Sequence, residues 1–254
     1  MNDLTVVVLT KNEEANIVDV IKNAKQVTPH VLIVDSGSTD KTVWLAEEHG
    51  AKVVYRAWDN DFSAQRNFAL EHVATEWVLY LDADERLNKE LCEAVVTVLE
   101  EGTPASYRMV RKNSAFGRDF NYGVLGPDSV VRLFPTAAVK WVDKVHERPV
   151  TGLEEKLLKG YIKHYTYDSF ATYLEKMNVY SSMGAENNKA KGKNVSVIGD
   201  LVLRPVYAFF KMYFLKKGCL EGWLGFVLCL NYANYTLNKY VKLKLMKERA
   251  RKSL

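Results

Sequence analysis

Three short apolar runs, Leu4–Leu9 (LTVVVL), Val31–Val34 (VLIV) and Trp77–Leu81 (WVLYL), each stop at a cluster of acids, amides or hydroxyls. Runs rich in β-branched and aromatic residues, without polar alternation, suit strands covered on both faces, as in parallel sheets. Lys52–Tyr55 reads as a further strand. Helical spacing separates these runs. Ile17, Val20, Ile21 and Ala24 share one face over Ala15–Ala24, Thr42–Gly50 is stopped by Gly50, and Phe62–His72 repeats the pattern. Strand and helix alternating over the first 80 or so residues predicts an α/β fold with a mostly parallel, Rossmann-like sheet and flanking helices.

Ligands of such sheets sit outside the carboxyl ends of the strands. Thr10–Glu14, Asp35–Asp40 and Asp82–Glu85 fall at those ends, so the topology gathers them on one rim. Two carboxylates, Asp82 and Asp84, directly after a buried strand repel each other and lose hydration unless a cation compensates. Mg²⁺ or Mn²⁺ suits oxygen ligands of this kind and commonly keeps substrate phosphates as further ligands. Acids in the first turn of a helix would give the same pattern for a structural reason. Asp35-Ser36-Gly37-Ser38-Thr39-Asp40 reads either as a turn and helix cap or as a loop holding a base or ribose. Neither GxxxxGK[ST] nor GxGxxG occurs here, which argues against ordinary NTPases and dinucleotide enzymes.

After Glu101 the rhythm loosens. Ser106–Arg111 and Ser129–Phe134 read as strands with a glycine-rich loop between them, and a helix begins at Ser169 as its N-cap. Ala185–Asn194 is polar and basic and reads as an exposed linker. Leu201–Phe214 and Trp223–Leu237 are aromatic-rich and amphipathic. They suit either packing on the core or a membrane interface, with Lys and Arg at headgroup level. From Glu186 to Leu254 there are 14 Lys/Arg against 4 Asp/Glu, out of 35 and 31 in the whole chain, which leaves 21 against 27 before that point. An acidic front suits a cation site and a basic back suits an anionic surface. Cys92, Cys219 and Cys229 lie in apolar segments without a CxxC pattern and read as buried small hydrophobes. The start of the chain lacks the features of a signal peptide, so a cytoplasmic location is expected.

The segments VVVLTKNEEANI, VLIVDSGSTDKT, SAQRNFAL and WVLYLDADE resemble family 2 glycosyltransferases of the GT-A fold, in the family's order over roughly the first 90 residues. VVRLFP, VKWVDKVHERP and IKHYTYDSFATYLEKMNVY resemble a subgroup that includes lipopolysaccharide core β-1,4-glucosyltransferases. The resemblance implies a catalytic domain over 1–185, with a nucleotide-sugar half over about 1–100 and an acceptor half over about 101–185. A basic, aromatic-rich, membrane-associating helical extension would follow over 186–254. It further implies an inverting, metal-dependent transfer of glucose or another hexose from a nucleotide-diphosphate sugar, with a UDP-sugar as the expected donor.

Asp35 matches the aspartate that holds the base or ribose, Asp82 the one near the ribose and donor sugar, and Asp84 the metal-ligating aspartate. Arg66, in the Arg-Asn motif, is assigned to the diphosphate, and Thr10, Asn12, Glu13 and Ser38 complete the nucleotide side. Glu147 is the candidate general base, although the family's common Glu-Asp pair is absent there. His146 either orients Glu147 or caps a loop, and His164 is either a candidate third metal ligand or phosphate contact or an ordinary strand-end histidine. Trp141 and Tyr165 are candidates for an acceptor platform. The expected partners are the donor, a lipid-linked glycan or lipopolysaccharide acceptor and an anionic membrane surface, with no nucleic acid. The expected location is peripheral on the cytoplasmic face of the inner membrane. The alternatives are transfer to another cell-envelope glycan, a nucleotidyltransferase, and a catalytically silent membrane adaptor.

Overall fold

The computed structural model describes residues 3–143 and 147–252, with side chains described to residue 250. Two compact units form. The first comprises residues 1–112 and 128–164, the second residues 113–127 and 165–254.

The first unit starts as the sequence pattern demands. β1 (Leu4–Thr10), α1 (Ile17–Ala24), β2 (His30–Asp35), α2 (Thr42–Glu48), β3 (Lys52–Tyr55), α3 (Phe62–Leu70) and β4 (Trp77–Asp82) follow one another. β1 lies between β2 and β4, parallel to both, and β3 extends the sheet beyond β2, also parallel. Alternate side chains explain why these strands are apolar throughout. Val6 and Val8 face one core with Leu79 and Leu81, while Val7 faces a second core with Val78 and Tyr80. Ile17, Val20, Ile21 and Ala24 of α1 cover the first face, and Ala69 of α3 packs in the second.

Beyond β4 the chain adds β5 (Glu85–Leu87), α4 (Lys89–Glu101), β6 (Ser106–Ala115), β7 (Arg118–Asp119), β8 (Asp128–Pro135), β9 (Lys140–Val142), β10 (Arg148–Val150) and β11 (Glu155–Tyr167). The nine-stranded sheet runs β3-β2-β1-β4-β8-β6-β11-β5, with β7 paired to β6, and the β4–β8, β6–β8 and β5–β11 pairs are antiparallel. The parallel sheet expected from the repeating front half is present. The antiparallel strands lie where the sequence rhythm loosened.

α4 was legible in principle. The Asn88 side chain caps it by accepting from Leu91 N–H at 3.1 Å, and Gly102 ends it in the left-handed region at φ 64°. The same Asn88 oxygen accepts from Tyr161 N–H at 2.8 Å, which draws β11 against the helix start. Gly160 sits at that approach with φ 86°, and a Cβ there would lie 2.4 Å from the Leu91 nitrogen. Gly160→Ala is therefore expected to destabilise the protein by more than about 1 kcal/mol, seen as a lower urea midpoint at unchanged slope.

In the second unit, β6 and β7 meet in a tight turn whose central residues, Phe116 and Gly117, both have positive φ. Phe116 packs with Phe120, Tyr167, Phe170 and Tyr173. α5 (Phe170–Ala190) begins at Ser169, whose hydroxyl accepts from Thr172 N–H at 3.1 Å, as its N-cap reading required. The helix continues to Ala190, so the expected linker over Ala185–Asn194 is half helical. Ala185 is buried against Tyr240 and Leu243, and that packing holds the polar segment in the helix. π-helical stretches over Val197–Leu203 and Lys211–Leu215 flank α6 (Arg204–Phe210), and α7 spans Gly222–Lys252. Lys242 Nζ ties α7 to α5 through Asn178 Oδ1, Ser181 Oγ and Ser182 Oγ at 2.7–2.8 Å. Cys92 and Cys229 are buried as expected, and burial pushes the Cys229 thiol up to about 11. Cys219 is exposed, contrary to its apolar context, because it lies in the short 3-10 turn Gly218–Glu221 ahead of α7. Among the described residues no helix is long and apolar enough to cross a membrane.

Candidate active site

Register places three strand ends side by side. Thr10 pairs with Asp35, and Leu9 pairs with Asp82, so the polar clusters after β1, β2 and β4 share one rim. The first two are tied together. Asn12 N–H donates to Ser38 Oγ at 2.8 Å, and Thr39 N–H donates to Asn12 Oδ1 at 2.8 Å. Glu13 N–H donates to Thr42 Oγ1 at 2.7 Å. Asn12 adopts φ 56°, a left-handed conformation that asparagine tolerates better than most residues. Asp35 is buried, and its carboxylate accepts from Gly37 N–H (2.8 Å), Ser38 N–H (2.9 Å), the Ser38 hydroxyl and the Thr10 hydroxyl (3.3 Å). A carboxylate has about four acceptor positions, and here they shape the loop.

A chain of alternating charges runs beneath the third cluster. Arg132 Nη2 lies 2.7 Å from Asp82 Oδ2 and 3.4 Å from Glu85 Oε1. Arg66 Nη2 lies 3.3 Å from Asp82 Oδ1. Glu85 is fully buried, and it also accepts from Asp82 N–H at 3.0 Å and from Arg111 at 3.1 Å. Burial opposes ionisation of Asp82, yet the guanidiniums of Arg132 and Arg66 outweigh it and hold the carboxyl well below the usual range. Arg132 and Arg111 are correspondingly held in the charged form by Asp82, Glu85 and Asp128. Arg132 and Arg111 escaped notice in the sequence, where Glu85 counted only as the end of the rim cluster. The signal for Arg132 was present: one cation inside the apolar run Val130–Phe134 needs a buried acid.

A cavity of about 300 Å³ opens on this rim. Thr10, Glu13, Arg66, Asp82 and Asp84 line it, together with Trp58, Phe62 and Gln65, which the sequence did not single out. Arg66 is buried, and its guanidinium lies 4.7 Å from the Trp141 ring centre and 5.4 Å from that of Tyr80. Among the described residues its Nε and Nη1 have no hydrogen-bond partner, and neither has Gln65 Oε1. Leaving two donors of a buried guanidinium unmet costs about 1–3 kcal/mol each. Glu147 Oε1 lies 3.5 Å from Arg66 Nη2, so the candidate base shares the arginine with Asp82. His146 lies outside the described residues. Trp141 is 4% exposed, and its ring packs against Tyr80 and Phe134. It therefore offers no platform and instead backs Arg66. Tyr165 is 43% exposed.

Asp84 Oδ2 lies 3.3 Å from His164 Nε2, because β5 and β11 pair with Glu85 opposite His164. Among the described residues no group of three His, Cys, Asp or Glu side chains is arranged to hold a metal. A hard cation takes oxygen and imidazole donors and usually retains water and phosphate ligands. The Asp84–His164 pair fits such a partial shell.

Strand-end acids and a buried arginine thus line one cleft on the rim of an α/β sheet. The chain belongs to glycosyl transferase family 2, whose pattern it matches over residues 5–178. It is a glycosyltransferase, and the observed sheet, flanking helices and helical C-terminal stretch are the GT-A fold class expected from that resemblance. Its relatives include an uncharacterised glycosyltransferase of Rickettsia typhi, 27% identical, which covers 100% of this chain and 89% of that protein. The lipopolysaccharide core biosynthesis glycosyltransferase LpsC of Rhizobium meliloti is also 27% identical, with 91% of this chain and 88% of that protein covered. Among solved structures, S. aureus TarS in complex with UDP-GlcNAc matches with a TM-score of 0.49 at 14% identity, covering 97% of this chain and 92% of that one.

Proposed function

We propose that this chain transfers a hexosyl group, with glucose the leading candidate, from a UDP-sugar to a lipid-linked or lipopolysaccharide core acceptor, with inversion. One observation carries the reading: Arg66, whose Nε and Nη1 have no partner among the described residues, lines a cleft together with Asp82 and Asp84. A diphosphate answers that demand, and the similarity to LpsC supports a core-type acceptor.

The chemistry follows from the residues in reach. Glu147 accepts the proton of the acceptor hydroxyl as that oxygen attacks the anomeric carbon. The bond to the diphosphate oxygen breaks on the opposite side, which inverts the configuration, as in inverting hydrolases. Arg66 donates to the leaving diphosphate as its charge grows. Asp82 holds the donor's ribose and sugar side, fixed in place by Arg132 and Arg66. The loop shaped by Asp35 receives the base, with Thr10, Asn12, Glu13 and Ser38 keeping its form. Asp84 with His164 would hold Mg²⁺ or Mn²⁺, which neutralises diphosphate charge when bound. In this scheme the catalytic part spans 1–185, and the enzyme works on the cytoplasmic face of the inner membrane.

Glu147→Gln is expected to lower turnover by about 10²–10⁴-fold while a UDP-sugar still raises the melting temperature as it does for the wild type. Unchanged turnover would move the proton acceptor elsewhere, with Asp143 the next candidate. Release of UDP, not pyrophosphate, separates sugar transfer from nucleotidyl transfer, and release of neither would favour the silent adaptor.

A further inference from the structure

The helical stretch from Val197 to Leu215 has two unlike faces. Leu201, Pro205, Ala208 and Met212 turn inward, and Phe209 and Tyr213 pack on Phe226 of α7 at 5.8 Å. Asp200 is buried and held by Ser196 N–H at 2.9 Å and by Arg204 at 2.5 Å. Ile198, Val202, Val206, Phe210 and Phe214 occupy every fourth position of the outer face, and each is at least 50% exposed. Leu203 and Tyr207 widen the stripe.

A spacing of four drifts around an α-helix of 3.6 residues per turn. The π-helical stretches, with their wider i→i+5 turns, wind the opposite way relative to that spacing and keep the stripe on one side. Pro205, which has no N–H to give the preceding turn, stands where the first π stretch meets α6. The backbone is thus shaped around a continuous exposed apolar face.

A bare apolar face of this extent marks a contact surface. Its charge selects the occupant. From Val197 to Leu220 there are four basic residues, Arg204, Lys211, Lys216 and Lys217, against one acid, Asp200, which is buried and paired with Arg204. The three lysines are exposed. A second copy of the chain would bring the same positive charges against these. An anionic lipid surface supplies the opposite sign and accepts aromatic and aliphatic side chains at its acyl boundary. We infer that the outer face of Val197–Leu215 lies flat in an anionic bilayer surface, with Phe210 and Phe214 inserted and Lys211, Lys216 and Lys217 at the headgroups. This deepens the proposed lipid-linked acceptor by naming the face that meets its membrane, and it stands apart from the donor chemistry.

The test is co-sedimentation of the full chain with phosphatidylglycerol–phosphatidylcholine vesicles and with phosphatidylcholine vesicles alone. The wild type is expected to prefer the anionic vesicles. Phe210→Asp with Phe214→Asp should weaken binding by roughly tenfold or more, and alanine at Lys211, Lys216 and Lys217 by about fivefold per lysine. The melting-temperature rise with a UDP-sugar, measured on the same variants, reports on the fold and the donor site separately. Should the aspartate variant misfold, Tyr207→Trp with bromolipid quenching decides, since an inserted face adds quenching beyond that of the wild type with its five tryptophans and a face left in water adds none. Equal vesicle binding by wild type and a folded aspartate variant overturns the inference. So does a wild-type dimer that the variant dissolves without any vesicle binding.

Discussion

Asp84→Ala is expected to abolish transfer and leave the chain folded. The carboxylate is 26% exposed on the cavity wall and meets His164, with no arginine paired to it among the described residues. Its removal strands no buried cation, so the stability change should stay within about 0.5 kcal/mol, as for ordinary surface substitutions. The proposed cation would lose its one carboxylate ligand from the strand end. The expected signature is therefore twofold: product formation falls to background, and the melting-temperature rise given by UDP with Mn²⁺ collapses to that given by UDP alone. A variant with full turnover would refute the metal assignment outright.

Arg132→Met should give the largest stability loss in the first unit. Glu85 is fully buried and would keep Arg111 alone, while Asp82 would keep Arg66 alone. Breaking a buried ion pair on one side costs about 3–5 kcal/mol, because the abandoned charge stays dry. Urea unfolding measures this directly. Adding Glu85→Gln to the variant should recover part of the loss, since it removes the abandoned charge. The wild type carries a matching pH dependence. Asp82 is held below the usual carboxyl range, so its contribution is complete above the unfolded value of about 4 and fades as pH falls below it. The gap between wild type and Arg132→Met should narrow towards pH 3. A gap independent of pH, with no recovery in the double variant, would mean that the arginine acts by packing alone.

The front of the molecule was readable because one physical rule governs it. Strands buried on both faces must be apolar from end to end, so LTVVVL, VLIV and WVLYL announced themselves, and the acids after them marked the rim. Asp84 and Glu13 follow from the same rule and do line the cavity, as does Arg66, to which only the family resemblance pointed. The antiparallel strands were harder. β11 carries lysines and tyrosines along an exposed course, and no two-residue alternation survives in EKLLKGYIKHYTY. Glu85 was read with Asp82 and Asp84 as part of the rim, and only long-range pairing with Arg111 and Arg132 shows why it is buried. Trp141 misled because an aromatic near a candidate base suggests a platform, whereas here its ring is the floor beneath Arg66.

The knot joining Asn12, Ser38 and Thr39 bears on how such an enzyme chooses its donor. Those loops are fastened before any ligand arrives, so a nucleotide that fits loses little freedom on entering, and one that does not must rupture several hydrogen bonds to be seated. Under the proposed donor chemistry, discrimination on that side would work by refusal.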